Sequence, residues 1–260
     1  MSSQAELARM LEFARSAAYE AGRLTLGYFY RSLEIIAKSD GSPVTKADRE
    51  AELLLRAAIE KAFPDHGILG EEYGHREPRN GSPYTWYLDP IDGTKSFIHG
   101  VPMYSNLVAL TRDGQSVLGI INLPALGEMV SAARGEGAWL NGRRVRVSEV
   151  ANLSDAVVVT TDQTDLDRNG KTQGWRPLVN GARFTRTWGD AYGYALVATG
   201  RAEIMLDARA ETYDVAAIPP ILAEAGGAFF DWKGVETHQG GNGVGTNGAL
   251  AEMVRRTIKG

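Results

Sequence analysis

The stretch Trp86–Phe97, WYLDPIDGTKSF, leaves the backbone fewer choices than any other part of the chain. An apolar run of strand character stops on a carboxylate, Asp89. Pro90 fixes the local φ, and Asp92 is followed at once by Gly93 and Thr94, the form of a turn that opens a helix. A strand, a turn and a helix start in this order can point two acids into one cavity. The free N–H groups of Gly93 and Thr94 at the helix start would favour an anion there. The bare pattern also describes an ordinary turn with a capping aspartate, so the remaining acids decide between the two readings.

Glu71 and Glu72 close another apolar run in LGEEYG, Asp207 ends the run EIMLD, and Asp214 heads a helical stretch. All stand at the ends of apolar runs, where a fold can gather them at one edge of its core. Crowded carboxylates repel, so such a gathering calls for cations. The chain has no cysteine, and its four histidines, His66, His75, His99 and His238, are scattered. Ligation would be all-oxygen, which points to Mg²⁺ rather than Zn²⁺.

Around these acids the pattern divides in two. Leu7, Met10, Leu11, Ala14, Ala17, Ala18, Ala21 and Leu24 recur at helical spacing and predict a long amphipathic first helix. Thr45-Lys-Ala-Asp48 has the form of a capping box ahead of a second stripe, Ala51, Leu54, Leu55, Ala58, Ile59 and Ala62. Two helices thus precede any clear strand. From Gly67 the period shortens: GILGEE, TWYLD, SNLVAL, SVLGIINL and EMVSAA read as strands. Asp113-Gly114 and Asn141-Gly142 fall between such runs as hairpin turns do, which predicts a largely antiparallel sheet.

Residues 1–150 therefore read as an α+β half carrying the metal and phosphate motifs. Residues 151–260 read as an α/β half carrying substrate specificity and the last metal acid. Its order is a strand (AVVVTT), a polar loop (DQTDLDRNGKTQ), a helix (DAYGYALVATG), a strand (EIMLD), a helix (DVAAIPPILAEAGG) and a hairpin around Trp232-Lys-Gly234. With no flexible linker between them, the halves should share a core. Pro219-Pro220, at about 3 kcal/mol for each proline in a helix interior, predicts a kink or break after Ile218 that could turn Asp214 away from the other acids. Gly243-Val-Gly-Thr-Asn-Gly248 matches G-x-G-x-x-G, yet only a dozen residues follow it, too few for the βαβ unit and acid of a dinucleotide site. It reads as a tight turn.

Composition narrows the partners. Of 260 residues 43% are apolar, enough for a sizeable core, and a net charge of −4 gives no basic field for nucleic acid or an anionic membrane. No apolar run approaches the roughly 18 residues of a membrane span, and the N-terminal stretch lacks the apolar core of a signal peptide. A cytoplasmic protein acting on a small diffusible molecule is expected.

In order and at ordinary separations, GEE at 70–72, DPIDGT at 89–94 and DVAA ahead of EAGG at 214–227 resemble the motifs of the inositol-monophosphatase-like phosphatases, which are magnesium-dependent and lithium-sensitive. The likeness runs from about Lys38 to near the end. It implies a layered α/β/α/β/α sandwich, a homodimer, and hydrolysis of a phosphomonoester with two Mg²⁺ ions and a third arriving with the substrate. By the same resemblance Glu71, Asp89, Asp92 and Asp214, with the Ile91 carbonyl, are metal ligands, and Gly93 and Thr94 bind phosphate. Asp48 pairs with the Thr94 hydroxyl to orient or deprotonate the attacking water, the catalytic set being Asp48, Thr94 and Glu71. One carboxylate can both cap a helix and serve here, and Glu72 supports the site or is merely solvated. Tyr213 departs from the tryptophan that the family carries before its late metal aspartate.

The alcohol should be read by the second half. Arg186-Thr-Trp-Gly-Asp-Ala-Tyr-Gly-Tyr194 looks like the histidinol-phosphate phosphatases of this superfamily, whereas inositol-specific members carry a Gly-Ser/Thr-Ala-Ala run there. Asp190 could pair an ammonium and an aromatic face could take a cation or ring. Asp207 falls where the family has its substrate-binding acid, so L-histidinol phosphate is the expected substrate. The plainer alternative makes Asp190 a helix cap and Trp188, Tyr192 and Tyr194 core or interface aromatics. Arg183, Arg186 and Arg209 would suit a second phosphate, which keeps inositol 1-phosphate, sugar phosphates and nucleotide bisphosphates open. From another class, a catalytically silent protein that binds metal and phosphate is the competing reading.

Overall fold

The first apolar stripe folds as α1 (Ser3–Tyr28), with Met10, Leu11, Ala14, Ala17, Ala18 and Ala21 buried. The structure is a computed structural model describing residues 3–31, 35–37 and 43–259; Lys38, where the family likeness begins, lies outside them. A short antiparallel hairpin follows, β1 (Ile35–Ala37) and β2 (Pro43–Thr45), and then α2 (Lys46–Ala62). The hairpin corrects the expectation that two helices precede any strand, because a strand of three residues is too short to show a period. The capping box is present: Thr45 N–H donates to Asp48 Oδ2 at 2.8 Å while the Thr45 side chain caps the first turn.

The first half then builds one sheet from β3 (Gly67–Gly70), β4 (Gly74–Arg76), β5 (Tyr84–Asp92), β6 (Ser105–Arg112), β7 (Gln115–Leu123), β8 (Glu128–Ala133), β9 (Gly137–Leu140) and β10 (Arg143–Arg144). Helix α3 (Thr94–Ile98) lies between β5 and β6. The order is β10-β9-β8-β7-β6-β5-β3-β4, and of its pairs only β3–β5 is parallel. Asp113-Gly114 and Asn141-Gly142 turn the β6–β7 and β9–β10 hairpins with left-handed φ of 50° and 75°, and 48° and 79°.

The second half runs β11 (Val157–Thr160), α4 (Gln163–Arg168), α5 (Thr172–Gly181), β12 (Phe184–Arg186), α6 (Asp190–Ala198), β13 (Ile204–Asp207), α7 (Thr212–Val215), α8 (Ile218–Ala225), β14 (Gly227–Phe230), β15 (Gly243–Asn247) and α9 (Ala251–Ile258). Its sheet has the order β12-β11-β13-β15-β14, parallel on the β11 side and antiparallel around β15.

Successive strand residues face opposite ways, and this sorts the core into layers. Met10 and Leu55 of α1 and α2 pack on Trp86, Val108 and Leu118 at one face of the first sheet. Its other face, through Leu107, Ile121 and Val130, meets α6 and α8, which press on Val159, Met205 and Phe229 of the second sheet. The neighbours Val158, Ile204 and Leu206 point outward, where Trp175, Leu178 and Val254 of α5 and α9 close the molecule. The result is the layered α/β/α/β/α sandwich. Each fully buried side chain of this size stabilises it by ~1.5–3 kcal/mol.

Three sequence expectations change. The polar loop after β11 is largely helical, because its polar residues bond one another: Asp162 accepts from Thr164 N–H at 2.7 Å, and Asp167 accepts from the Thr172 hydroxyl at 2.6 Å. Only Leu166 buries an apolar side chain in α4, too little to show periodicity. The proline-bearing helix breaks before Ile218 rather than after it, leaving both prolines in the first turn of α8, where their missing N–H groups have no intrahelical partner to lose. Gly243–Asn247 of the GVGTNG run form a buried strand, β15, with a tyrosine where added side chains would stand, and a turn begins only at the exposed Gly248. A Cβ on Gly243 would lie 2.4 Å from Tyr194 Oη, and one on Gly245 would lie 2.7 Å from its ring.

Gly119 of β7 marks where the α7–α8 break meets the first sheet: a Cβ there would lie 2.0 Å from the Ala217 carbonyl oxygen. Backbone cannot step aside as a side-chain end can, so Gly119→Ala should cost about 3 kcal/mol or more. Denaturant unfolding reads this directly, and a loss under about 1 kcal/mol would show that the junction yields.

Candidate active site

Asp89 and Asp92 are three residues apart, a spacing that in a regular strand puts side chains on opposite faces. The register shows how both reach the same site: Asp89 pairs with Leu107 and Asp92 with Ser105, so β5 carries one extra residue as a bulge. Asn106 secures it, donating from Nδ2 to the Pro90 carbonyl at 2.6 Å. Beyond the bulge Gly93 adopts φ 78° and ψ 41° and starts α3. The Thr94 hydroxyl donates to the Ile91 carbonyl at 3.0 Å, and Ile91 N–H to Asp89 Oδ1 at 3.0 Å.

Burial is the main force on these acids. Asp89 is 2% exposed, and its pKa lies well above the carboxylate range, first through burial and then through repulsion from Glu71, Asp92 and Asp214. Asp92 is raised by burial and by the charges of Asp190 and Asp214, while hydrogen bonds pull it back. Those bonds come from the Ser105 hydroxyl at 3.0 Å and from Ala191 N–H of α6 at 2.8 Å, both on Oδ2. Asp92 is thus tied to both halves of the molecule.

Glu71 follows β3, beside Leu88 of the parallel strand β5, to whose carbonyl its N–H donates at 3.2 Å. The turn that carries it is held by Glu52, a fully buried acid of α2 absent from the expected site. Glu52 accepts from Glu72 N–H at 2.7 Å and Tyr73 N–H at 3.2 Å and pairs with Arg56 at 2.7 Å. Gly70 makes room for it, since a Cβ there would lie 2.1 Å from Glu52 Oε1. The Glu52–Arg56 spacing and the glycine before the acids were the available signals. Asp48 spends Oδ2 on the capping box, donated to by Thr45 Oγ1 at 2.6 Å, and Thr94 bonds Ile91 rather than Asp48. Burial pushes Asp48 up to about 6, and it feels the charges of Glu72 and Glu71.

The second half supplies the opposite wall. Asp214 remains with the other acids despite the helix break. It accepts from Glu211 N–H at 2.8 Å, and burial, with the charges of Glu71, Asp207 and Glu211, raises it to about 7. Asp207, at the end of β13, is also raised to about 7 by burial. Asp190 opens α6 with its carboxylate against the turn at Gly93: a Cβ on Gly93 would lie 3.0 Å from Asp190 Oδ2. Thr161, another residue sequence reasoning missed, bridges Asp190 and Asp207.

Between the walls lies a cleft of about 400 Å³ lined by Asp92, Lys95, Asp190, Asp207, Arg209 and Asp214 among others. Of the three arginines considered for a second phosphate, Arg209 reaches the cleft and is paired with Asp165 at 3.0 Å. Arg186 stacks outside it on Phe184 and Trp188, its guanidinium carbon 5.1 and 5.9 Å from their ring centroids, and Arg183 is exposed. Tyr194 lines the cleft as part of the core, and Trp188 stands outside it.

No three acidic or histidine side chains among the described residues close on one point tightly enough to clasp an ion as they stand. The donor set nonetheless fits a hard divalent cation. Asp89, Asp92 and Asp214 are all held above the usual range by burial and mutual repulsion, and their ligand atoms are all oxygen. A cation at this edge would remove the repulsion that raises them.

The chain is similar to known proteins over nearly its whole length. Residues 6–259 match the inositol monophosphatase family. A histidinol-phosphatase of Chlorobaculum parvum is 46% identical over 250 residues, covering 95% of this chain and 96% of that protein. An inositol-1-monophosphatase of Mesorhizobium japonicum is 33% identical over 259 residues, covering 96% of each. The crystal structure of the extragenic suppressor protein suhB from Bartonella henselae superposes with a TM-score of 0.89 at 28% identity, over 96% of this chain and 98% of that one.

Proposed function

Since the chain belongs to the inositol monophosphatase family and is a phosphoric monoester hydrolase, we propose that it hydrolyses L-histidinol phosphate to L-histidinol and phosphate with Mg²⁺, a step of histidine synthesis. The observation that carries the choice of alcohol is Asp190, an acid set against the phosphate turn at Gly93 in a cleft that also holds Asp207. An alcohol with an ammonium group next to its phosphate matches that spacing of charges. A neutral polyol would bring Asp190 no opposite charge beyond that of Lys95 in the same cleft. The histidinol-phosphatase relative at 46% identity supports the same choice, and the inositol-1-monophosphatase at 33% is what supports the second reading.

Glu71, Asp89, Asp92 and Asp214, with the Ile91 carbonyl, would hold the metal, and Mg²⁺ when bound supplies charge neutralisation at the phosphoryl oxygens and a more acidic water. The chain's own groups do the rest. Gly93 and Thr94 receive the phosphate at the start of α3. Asp48, at about 6, has a proton affinity suited to a general base near neutral pH, and its neighbour Glu71 faces the same edge. Asp190 and Asp207 orient the alcohol, and the buried walls limit water to the reacting face.

Phosphate release in Mg²⁺ tests the reading through kcat/KM for L-histidinol phosphate, inositol 1-phosphate and fructose 1,6-bisphosphate. A preference of about a hundredfold for histidinol phosphate, roughly 2.7 kcal/mol in the transition state, is expected. Asp190→Asn should remove most of that preference. Equal losses for the charged and neutral esters would end the charge reading, and turnover of none of them would bring forward a silent binding protein.

A further inference from the structure

We propose that Thr161 is a positioning residue that sets alcohol selectivity by holding Asp190 over the phosphate turn. The inference rests on reading the cleft as the site of a cationic phosphate ester. Asp190 adopts φ 52°, the left-handed region that a residue with a side chain seldom occupies. Its N–H donates to Thr161 Oγ1 at 2.8 Å, and Thr161 Oγ1 donates to Asp207 Oδ1 at 2.5 Å. A hydroxyl has one proton and can still accept, so giving that proton to Asp207 leaves a lone pair for the Asp190 amide. One side chain thereby fixes both acids that face the alcohol.

The approach is built into the backbone. Gly189 packs against Thr161, since a Cβ on Gly189 would stand 2.1 Å from Thr161 Cα. The next amide along, Ala191 N–H, donates to Asp92 Oδ2 at 2.8 Å. Two consecutive amides are therefore fastened, one to Thr161 and one to a proposed metal acid, with the Asp190 carboxylate between them beside Gly93. Without the Thr161 hydroxyl the Asp190 amide loses its fastening while the Ala191 amide keeps Asp92, and residue 190 can return to an ordinary φ that carries its carboxylate off the turn.

The test is a double-mutant cycle between Thr161→Val and Asp190→Asn, read as kcat/KM for L-histidinol phosphate over inositol 1-phosphate. Thr161→Val keeps the shape and removes the hydroxyl. It should lower the selectivity ratio about tenfold or more, chiefly by raising KM for histidinol phosphate, and Thr161→Ser should restore it. In the Asp190→Asn background the same change should alter the ratio less than about twofold, because a residue acting through Asp190 has nothing left to position. Additive losses would overturn the proposal. If Thr161→Val does not fold, Thr161→Ala takes its place in the cycle.

If the unmutated enzyme prefers no cationic ester, the substrate reading fails by itself. The positioning role is then decided by a crystal structure of the variant. A residue 190 that leaves positive φ supports it, and one unchanged over Gly93 overturns it.

Discussion

Asp92→Asn should lower kcat/KM with saturating Mg²⁺ by about a thousandfold or more, roughly 4 kcal/mol of transition-state stabilisation, while leaving the fold intact. The amide is isosteric, and its oxygen can accept the two bonds that Oδ2 now takes from the Ser105 hydroxyl and the Ala191 amide. Its NH₂ must then occupy the other carboxylate position, where a hard cation would need an oxygen. What is lost is therefore the charge and one ligand atom, not the contact between the halves. Metal-free, the variant should unfold at a higher temperature than the unmutated chain, because it removes a buried charge that Asp190 and Asp214 repel. Steady-state kinetics with a Mg²⁺ titration, paired with calorimetry after chelation, separates the two effects. Near-normal activity would remove Asp92 from the metal set, and a lower unfolding temperature without metal would show that the charge is compensated.

What could be read from the chain follows from how local the signal is. The capping box at Thr45 and Asp48, the hairpin turns at Asp113 and Asn141 and the turn at Gly93 are each set within a few residues, and each is found where the spacing puts it. The bulge in β5 is different: Asp89 and Asp92 can be seen to be acids at a strand end, but that they share a side depends on pairing with Leu107 and Ser105. Ser105, Glu52 and Thr161 hold the site from elements distant in sequence; Glu52 carries a local signal in its spacing to Arg56, but nothing beside Ser105 or Thr161 in the chain marks them out. Pro219-Pro220 signalled a break correctly; it falls before Ile218, where both prolines fit the first turn of α8, and there the Ala217 carbonyl lies against Gly119 of another strand. The glycines of β15 imitate a phosphate motif because Tyr194 needs their missing side chains. In each case the residue type was visible and the partner was not.

The same burial that readies the acids for a cation should make the metal-free protein lose stability as pH rises. Asp214 and Asp207 are held at about 7 and Asp48 at about 6, against about 3.9 for an aspartate in an unfolded chain. The folded state therefore binds more protons than the unfolded state between about pH 4 and 7, and the unfolding free energy must fall across that window. One aspartate raised to about 7 accounts for on the order of 4 kcal/mol, and since the acids share their repulsion the losses do not add. Mg²⁺ needs the ionised ligands, so its stabilising shift should be small near pH 5 and grow to several kcal/mol near about pH 8. A part of the slope should survive saturating Mg²⁺, because Asp207 and Asp48 are not in the proposed ligand set. Asp214→Asn should flatten the metal-free slope and abolish most of the Mg²⁺ shift, whereas Asp207→Asn should flatten the slope and leave the shift in place. Unfolding curves at several pH values, with chelator and with excess Mg²⁺, decide the matter. Metal-free stability that is flat or rising from about pH 5 to 8 would mean that the acids are paired well enough without a cation, and a Mg²⁺ shift independent of pH would place the ion away from these carboxylates.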